Sequence, residues 1–175
     1  MILIRSLFKK KSNSQRIKMK RVLAALHYDF NHFSLPKFLK WLGDQHRTQL
    51  LPVPKKMPPK IFGAWIATER AHYFFYDREL IRLHQTHVIL HEVCHWLCGH
   101  KTLIATPEQI QLLLQHDWLI PLGNSKRRSG LTNQQEQEAE TLALLIQEEI
   151  ARHKRVNGTK RDRSVQSFCH LLDLI

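Results

Sequence analysis

The residues with the clearest chemical potential are His91-Glu92-Val93-Cys94-His95. On an α-helix, positions four apart share one face, about 6 Å apart along the axis. Two imidazoles so placed can converge on one divalent cation, at about 2.0–2.1 Å for Zn2+. Glu92 lies about 100° round the helix from His91. That position suits it poorly as a third ligand and well as a base that takes a proton from an attacking water. The chain holds 12 His, and shuffling its residues would give roughly 0.04 such patterns. Val88, Ile89 and Leu90 precede the pattern, and Trp96 and Leu97 follow it. A helix this apolar is buried, where unpartnered histidines and a glutamate would be costly.

A catalytic metal needs a third protein ligand and an open position. Downstream stands Glu136-Gln137-Glu138-Ala139-Glu140-Thr141-Leu142-Ala143. Ala139, Leu142, Ala143 and Ile146 form one apolar stripe, flanked on one side by Glu136 and Glu140, one turn apart. The small Ala139 and Ala143 allow close packing on the histidine helix. Glu136 is the third ligand in this reading. Glu140 either holds a ligand histidine or replaces Glu136 as ligand. Glu138 points elsewhere.

Other groups are weaker candidates. From His87 to His95 is about 12 Å along a helix, too far for one ion to be shared by His87, His91 and His95. His87 and the still more distant His84 are therefore supporting or surface groups. Tyr73, Tyr76 or His100 could donate to a tetrahedral oxyanion. Packing for the tyrosines, and a surface role at a helix end for His100, are the competing readings. Cys94 and Cys98, four apart, read as small buried residues rather than a redox pair.

These side chains need a scaffold. Apolar spacing over 21–50 predicts two amphipathic helices meeting near Ser34-Leu35-Pro36. Residues 1–20 read as a loose basic arm or a frayed helix. Four prolines make 51–60 an extended connector. Residues 63–68 and 71–76 are rich in aromatic and β-branched side chains and predict a hairpin, whose edge could accept an extended substrate strand. A long helix carries the histidines as far as Cys98 and stops at Gly99. Further helices are predicted at 107–116, with Thr106 as N-cap, and at 132–152. A basic loop at 124–130, a charged linker at 153–163 and a short helix at 165–174 complete the chain. The fold class is α+β: a mainly helical single domain with a small antiparallel sheet. Residues 1–60 form a basic helical extension, 61–152 the core, and 153–175 the linker and terminal helix.

With the motifs in place, a resemblance emerges. The run from Val88 through His91-Glu92-Val93-Cys94-His95 to His100, followed by Glu136-x-Glu138-Ala139-Glu140-x-Leu142-Ala143, is similar to the ImmA/IrrE family of zinc metallopeptidases. The segment from Ala64 to Tyr76 resembles the hairpin that precedes the metal helix there, so the likeness spans roughly residues 60–150. It implies a zincin-like core of the gluzincin kind, Zn2+ as cofactor, and an intracellular endopeptidase. It also implies a helix-turn-helix repressor as substrate or operon partner. The chain departs from the family in two ways. Leu144-Leu145-Ile146-Gln147 stands where Leu-Leu-Met-Pro is common, and the basic N-terminal third has no counterpart.

Composition bounds the alternatives. The 175 residues suit one domain, with 43% hydrophobic and 24% charged residues. The net charge is +12. Residues 1–60 hold 14 of the 27 Lys and Arg but 2 of the 15 Asp and Glu, so the rest of the chain is neutral. Lys9-Lys10-Lys11, Lys18, Lys20 and Arg21 are candidate phosphate contacts, which keeps a nucleic-acid-binding regulator or toxin component in view. A catalytically quiet, zinc-bearing partner of a repressor is the third reading. Three cysteines, an odd number, fit a reducing compartment. No apolar run approaches the roughly 20 residues that span a bilayer, so the expected location is cytoplasmic.

Overall fold

The computed structural model describes residues 2–116 and 131–156, with side chains at 13–116 and 131–155. Five helices and four strands follow in the order α1 (Ile2–Ala25), α2 (Leu35–His46), β1 (Gln49–Lys55), β2 (Gly63–Ala67), β3 (Ala71–Asp77), α3 (Arg82–Leu97), β4 (Leu103–Ile104), α4 (Pro107–Gln115) and α5 (Asn133–Val156). The fold is the expected mainly helical α+β class. The loop at 124–130 and the terminal helix at 165–174 lie outside the described residues. Within them, no helix is long and apolar enough to cross a membrane.

The hairpin forms as its residue types predict. β2 and β3 pair antiparallel, with Gly63 opposite Tyr76 and Ala67 opposite His72. The Thr68 hydroxyl closes the turn by accepting the Ala71 N–H at 3.0 Å. The sheet is not purely antiparallel, however. Its order is β1-β3-β2-β4, and both β1 on β3 and β4 on β2 are parallel. The segment expected to be a connector is thus a strand over its first half. Pro52 and Pro54, two apart, turn their missing donors to the same side, which a strand can tolerate only at a sheet edge. β1 is that edge.

Alternation along the strands gives the sheet two apolar faces. Phe74, with Trp65 and Tyr76, packs on the larger core built from α1, α2, α3 and α5, among them Met19, Phe38, Leu42, Leu90, Val93, Leu142 and Ile146. Ala64, Ile66 and Phe75 face the other way and pack with Met57, Ala105, Ile110 and Leu113, beneath α4. Residues 1–60 therefore contribute to the main core as well as to the sheet. Phe30, Phe33, Phe38, Trp41 and Tyr28 form one aromatic cluster there, with the Tyr28 and Phe38 rings 4.8 Å apart. Tyr28, Phe30 and Phe33 come from the loop between α1 and α2, not from the helix their spacing predicts, and they pack on Phe38 and Trp41 of α2.

Candidate metal centre

Helix α3 runs buried between the sheet and α5, with Leu90, Val93 and Cys94 fully buried. Ala139 and Ala143 of α5 are also fully buried, and their small side chains let the two helices approach closely. That approach carries Glu136 to the histidine pair. His91 Nε2 and His95 Nε2 are 3.0 Å apart. Glu136 Oε2 lies 3.4 Å from the first and 3.5 Å from the second. Three donors from two helices thus form one small triangle, a group that could hold a metal ion. The His95 side chain is 3% exposed and that of Glu136 49%, so the centre opens to solvent on the Glu136 side.

Glu140, one turn further along α5, does not join the triangle. Its Oε2 meets His91 Nδ1 at 3.1 Å and His87 Nε2 at 3.4 Å. A carboxylate on Nδ1 fixes the tautomer that leaves Nε2 free to bind a metal. Of the two candidates, Glu136 faces the histidine pair and Glu140 meets His91 on its other ring nitrogen. His87 is the supporting group its distance predicted, and Gln147 Oε1 lies 3.4 Å from its Nδ1.

The surroundings set the charges. Burial, together with the neighbouring His91 and His100, lowers His95 to a pKa of about 3, so it is neutral, as a metal ligand must be. Burial also pushes His91 down, but its hydrogen bond to Glu140 and the charges of Glu92, Glu140 and Glu136 outweigh this and raise it. Hydrogen bonds from His87 and His91 hold Glu140 at about 2 against its burial. Burial pushes the thiols up, Cys98 to about 11 and Cys94 well above its ordinary value. Neither is primed as a thiolate for redox or metal chemistry.

Glu92 points towards the start of β2. A Cβ on Gly63 would fall 2.8 Å from Glu92 Oε1 and 2.5 Å from Val88 Cγ1. The missing side chain at Gly63 therefore makes room for the carboxylate. Tyr76, opposite Gly63 in the hairpin, is on this face of the sheet. Tyr73 is on the opposite face, with the α4-side core, and does not face the triangle.

His100 is neither a surface group nor an available oxyanion donor. It is 8% exposed. Its Nδ1 meets His95 Nδ1 at 2.9 Å and its Nε2 meets Glu138 Oε2 at 3.4 Å. Gly99 makes this possible. It adopts φ +69°, a conformation that costs glycine little. The chain then turns back with Gly99 N–H on Trp96 O and His100 N–H on His95 O. Glu138, read from the sequence as pointing elsewhere, does point away from the triangle, into this buried contact. Burial pushes its carboxyl up, but hydrogen bonds from Lys18, Gln134 and His100 outweigh that and hold it below its ordinary value. Gly63, Glu138 and Lys18 were not legible as site residues. The one available signal was a glycine at the helix end followed at once by histidine.

No protein-family model, curated protein or solved structure matches this chain.

Proposed function

We propose that the chain is a zinc-dependent endopeptidase, with His91, His95 and Glu136 as the metal ligands and Glu92 as the general base. The observation that carries this is the donor triangle, with edges of 3.0, 3.4 and 3.5 Å. In a tetrahedral zinc site with bonds near 2.0–2.1 Å, ligand atoms stand roughly 3.3–3.4 Å apart. Two neutral-imidazole positions and one carboxylate are also the donor set of catalytic zinc in peptidases. The resemblance to ImmA/IrrE metallopeptidases in His91-Glu92-x-x-His95 and Glu136-x-Glu138-Ala139-Glu140 points the same way.

When bound, the metal supplies a Lewis acid that polarises the scissile carbonyl and makes water a better nucleophile. The chain's residues do the rest. Glu92, on α3 beside the ligands but turned towards β2, takes the proton from the attacking water and returns it to the leaving amine. Tyr76 is the phenol on the correct sheet face to donate to the developing oxyanion. β1 takes the β3 side of the hairpin, and the β2 side is met by β4 at Ile66 and Ala67 and by the Thr102 hydroxyl, which donates to Trp65 O. A helix-turn-helix repressor is the substrate the resemblance implies.

The test compares wild type with Glu92→Gln. Both should bind about one zinc per chain, measured by elemental analysis. Wild type should cut an adjacently encoded helix-turn-helix regulator, seen as new termini in mass spectrometry, and the variant should not. Turnover by Glu92→Gln, or wild type without zinc affinity, overturns the proposal.

A further inference from the structure

A second line of polar contacts runs away from the triangle, behind His95. Lys18 Nζ on α1 meets Glu138 Oε1 on α5 at 2.8 Å. Glu138 Oε2 lies 3.4 Å from His100 Nε2, and His100 Nδ1 lies 2.9 Å from His95 Nδ1. The Glu138 and His100 side chains are 8% and 5% exposed. We propose that Lys18, Glu138 and His100 form a positioning chain that fixes the tautomer and orientation of the His95 ring, and so makes the N-terminal helix part of the metal centre. This inference rests on the metallopeptidase reading of the triangle.

An ionised carboxylate only accepts, so His100 Nε2 must carry the proton that reaches Glu138. With that single proton on its ring, His100 has a lone pair at Nδ1. Only a proton on His95 Nδ1 satisfies that lone pair, since this pair of nitrogens, 2.9 Å apart, has no metal position between them, unlike the facing Nε2 atoms of His91 and His95. His95 Nε2 is left with its lone pair facing His91 and Glu136. The opposite set of tautomers would put a proton on His95 Nε2, where the metal must bind. His91 receives the same instruction directly from Glu140. His95 receives it through a second imidazole, because His100 stands between its Nδ1 and Glu138. Lys18 closes the chain, and Gln134 Nε2 supports it by donating to the same Glu138 oxygen at 3.1 Å. A carboxylate this buried is costly without a countercharge. Lys18 supplies one from a segment that the motif-bearing core does not contain.

The full-length protein provides the test. Two-dimensional 1H–15N spectra of the histidine rings report tautomers with or without metal. They should show the proton of His95 on Nδ1 and that of His100 on Nε2. Zinc affinity, measured by competition with a chelator, should fall about 10- to 100-fold in His100→Ala. It should fall by a smaller factor, about threefold to tenfold, in Lys18→Met. His100→Gln, which can accept from His95 and donate to Glu138, and Lys18→Arg, which keeps the countercharge, should recover most of the loss. Circular dichroism and thermal melting check that each variant is folded. If His100→Ala does not fold, the Lys18→Met and Lys18→Arg pair and the wild-type spectrum decide. Unchanged zinc affinity in folded His100→Ala overturns the chain, as does a proton on His95 Nε2. Wild type that binds no zinc sinks the peptidase reading, while the ring spectrum still judges the positioning chain on its own.

Discussion

His91 and His95 are the same residue one turn apart on one helix, yet their surroundings drive them in opposite directions. His91 is raised by the carboxylates around it, whereas His95 is lowered by burial among imidazoles. The difference makes Glu140 a pH-sensitive contributor to the metal-free fold. Its folded pKa of about 2 lies below the ordinary 4.5. A depressed carboxylate stabilises the fold above its unfolded pKa and loses that contribution as pH falls through the folded value. Acid unfolding of the metal-free protein should therefore steepen between about pH 4.5 and 2. Glu140→Gln should remove that component, as followed by circular dichroism. Gly63 yields a second prediction. In Gly63→Ala the new methyl must displace Glu92 or Val88, and Val88 is stiff at χ1. On the proposed role of Glu92 as base, its displacement should lower kcat by about tenfold or more, while zinc content stays at the wild-type level. Steady-state peptidase kinetics beside elemental analysis check both halves.

At the scale of elements, the sheet is held in place by devices at its margins. Thr106 and Gln109 exchange hydrogen bonds across the start of α4, a reciprocal cap that the Thr106-Pro107 pair announces. The other end of α4 is capped from a distance. Lys55, the last residue of β1 and 6% exposed, donates from Nζ to Leu114 O at 2.9 Å and to His116 O. A cation on the last carbonyls of a helix also suits its dipole. Lys55→Met keeps the aliphatic stem and removes the donor. It should cost about 1.5–3 kcal/mol in urea unfolding by removing hydrogen bonds from a charged donor. The prolines of β1 protect the sheet differently, since an edge without donors cannot recruit another chain. Replacing Pro52 and Pro54 with Val and Thr should preserve pairing with β3 and promote self-association, measurable by light scattering.

Across the whole molecule, the basic N-terminal third is built into the protein. Met19 of α1 is completely buried in the main core, in contact with Cys98 through sulfur. Arg16 and Lys18 reach across to Glu148 and Glu138 of α5. Lys18, one of the candidate phosphate contacts, is thus paired with an acid of the same chain. Met19→Ala should cost about 2–5 kcal/mol, read from the shift of a denaturant melt. A loss near zero would mean that α1 is a detachable arm.

The pairing of His91 with His95 on one helix face, the hairpin, the α4 cap and the class of fold were all legible in the sequence, because each depends on short spacing. Residues one turn apart share a helix face wherever the helix goes, and Thr-Pro or Gly at a helix end acts within a few bonds. The sequence also narrowed the candidate third ligand to one side of one helix. Choosing between Glu136 and Glu140 needed the axial offset of α5 against α3, which is set by how Ala139 and Ala143 seat against the histidine helix. β1 was hidden because its prolines argue against a strand unless one knows that it lies at an edge. Edge position belongs to the sheet, not to the segment. Lys18, Glu138 and His100 are separated by 120 and 38 positions. No local rule couples residues so far apart; only the packing of α1, α3 and α5 around a common core brings them into one line.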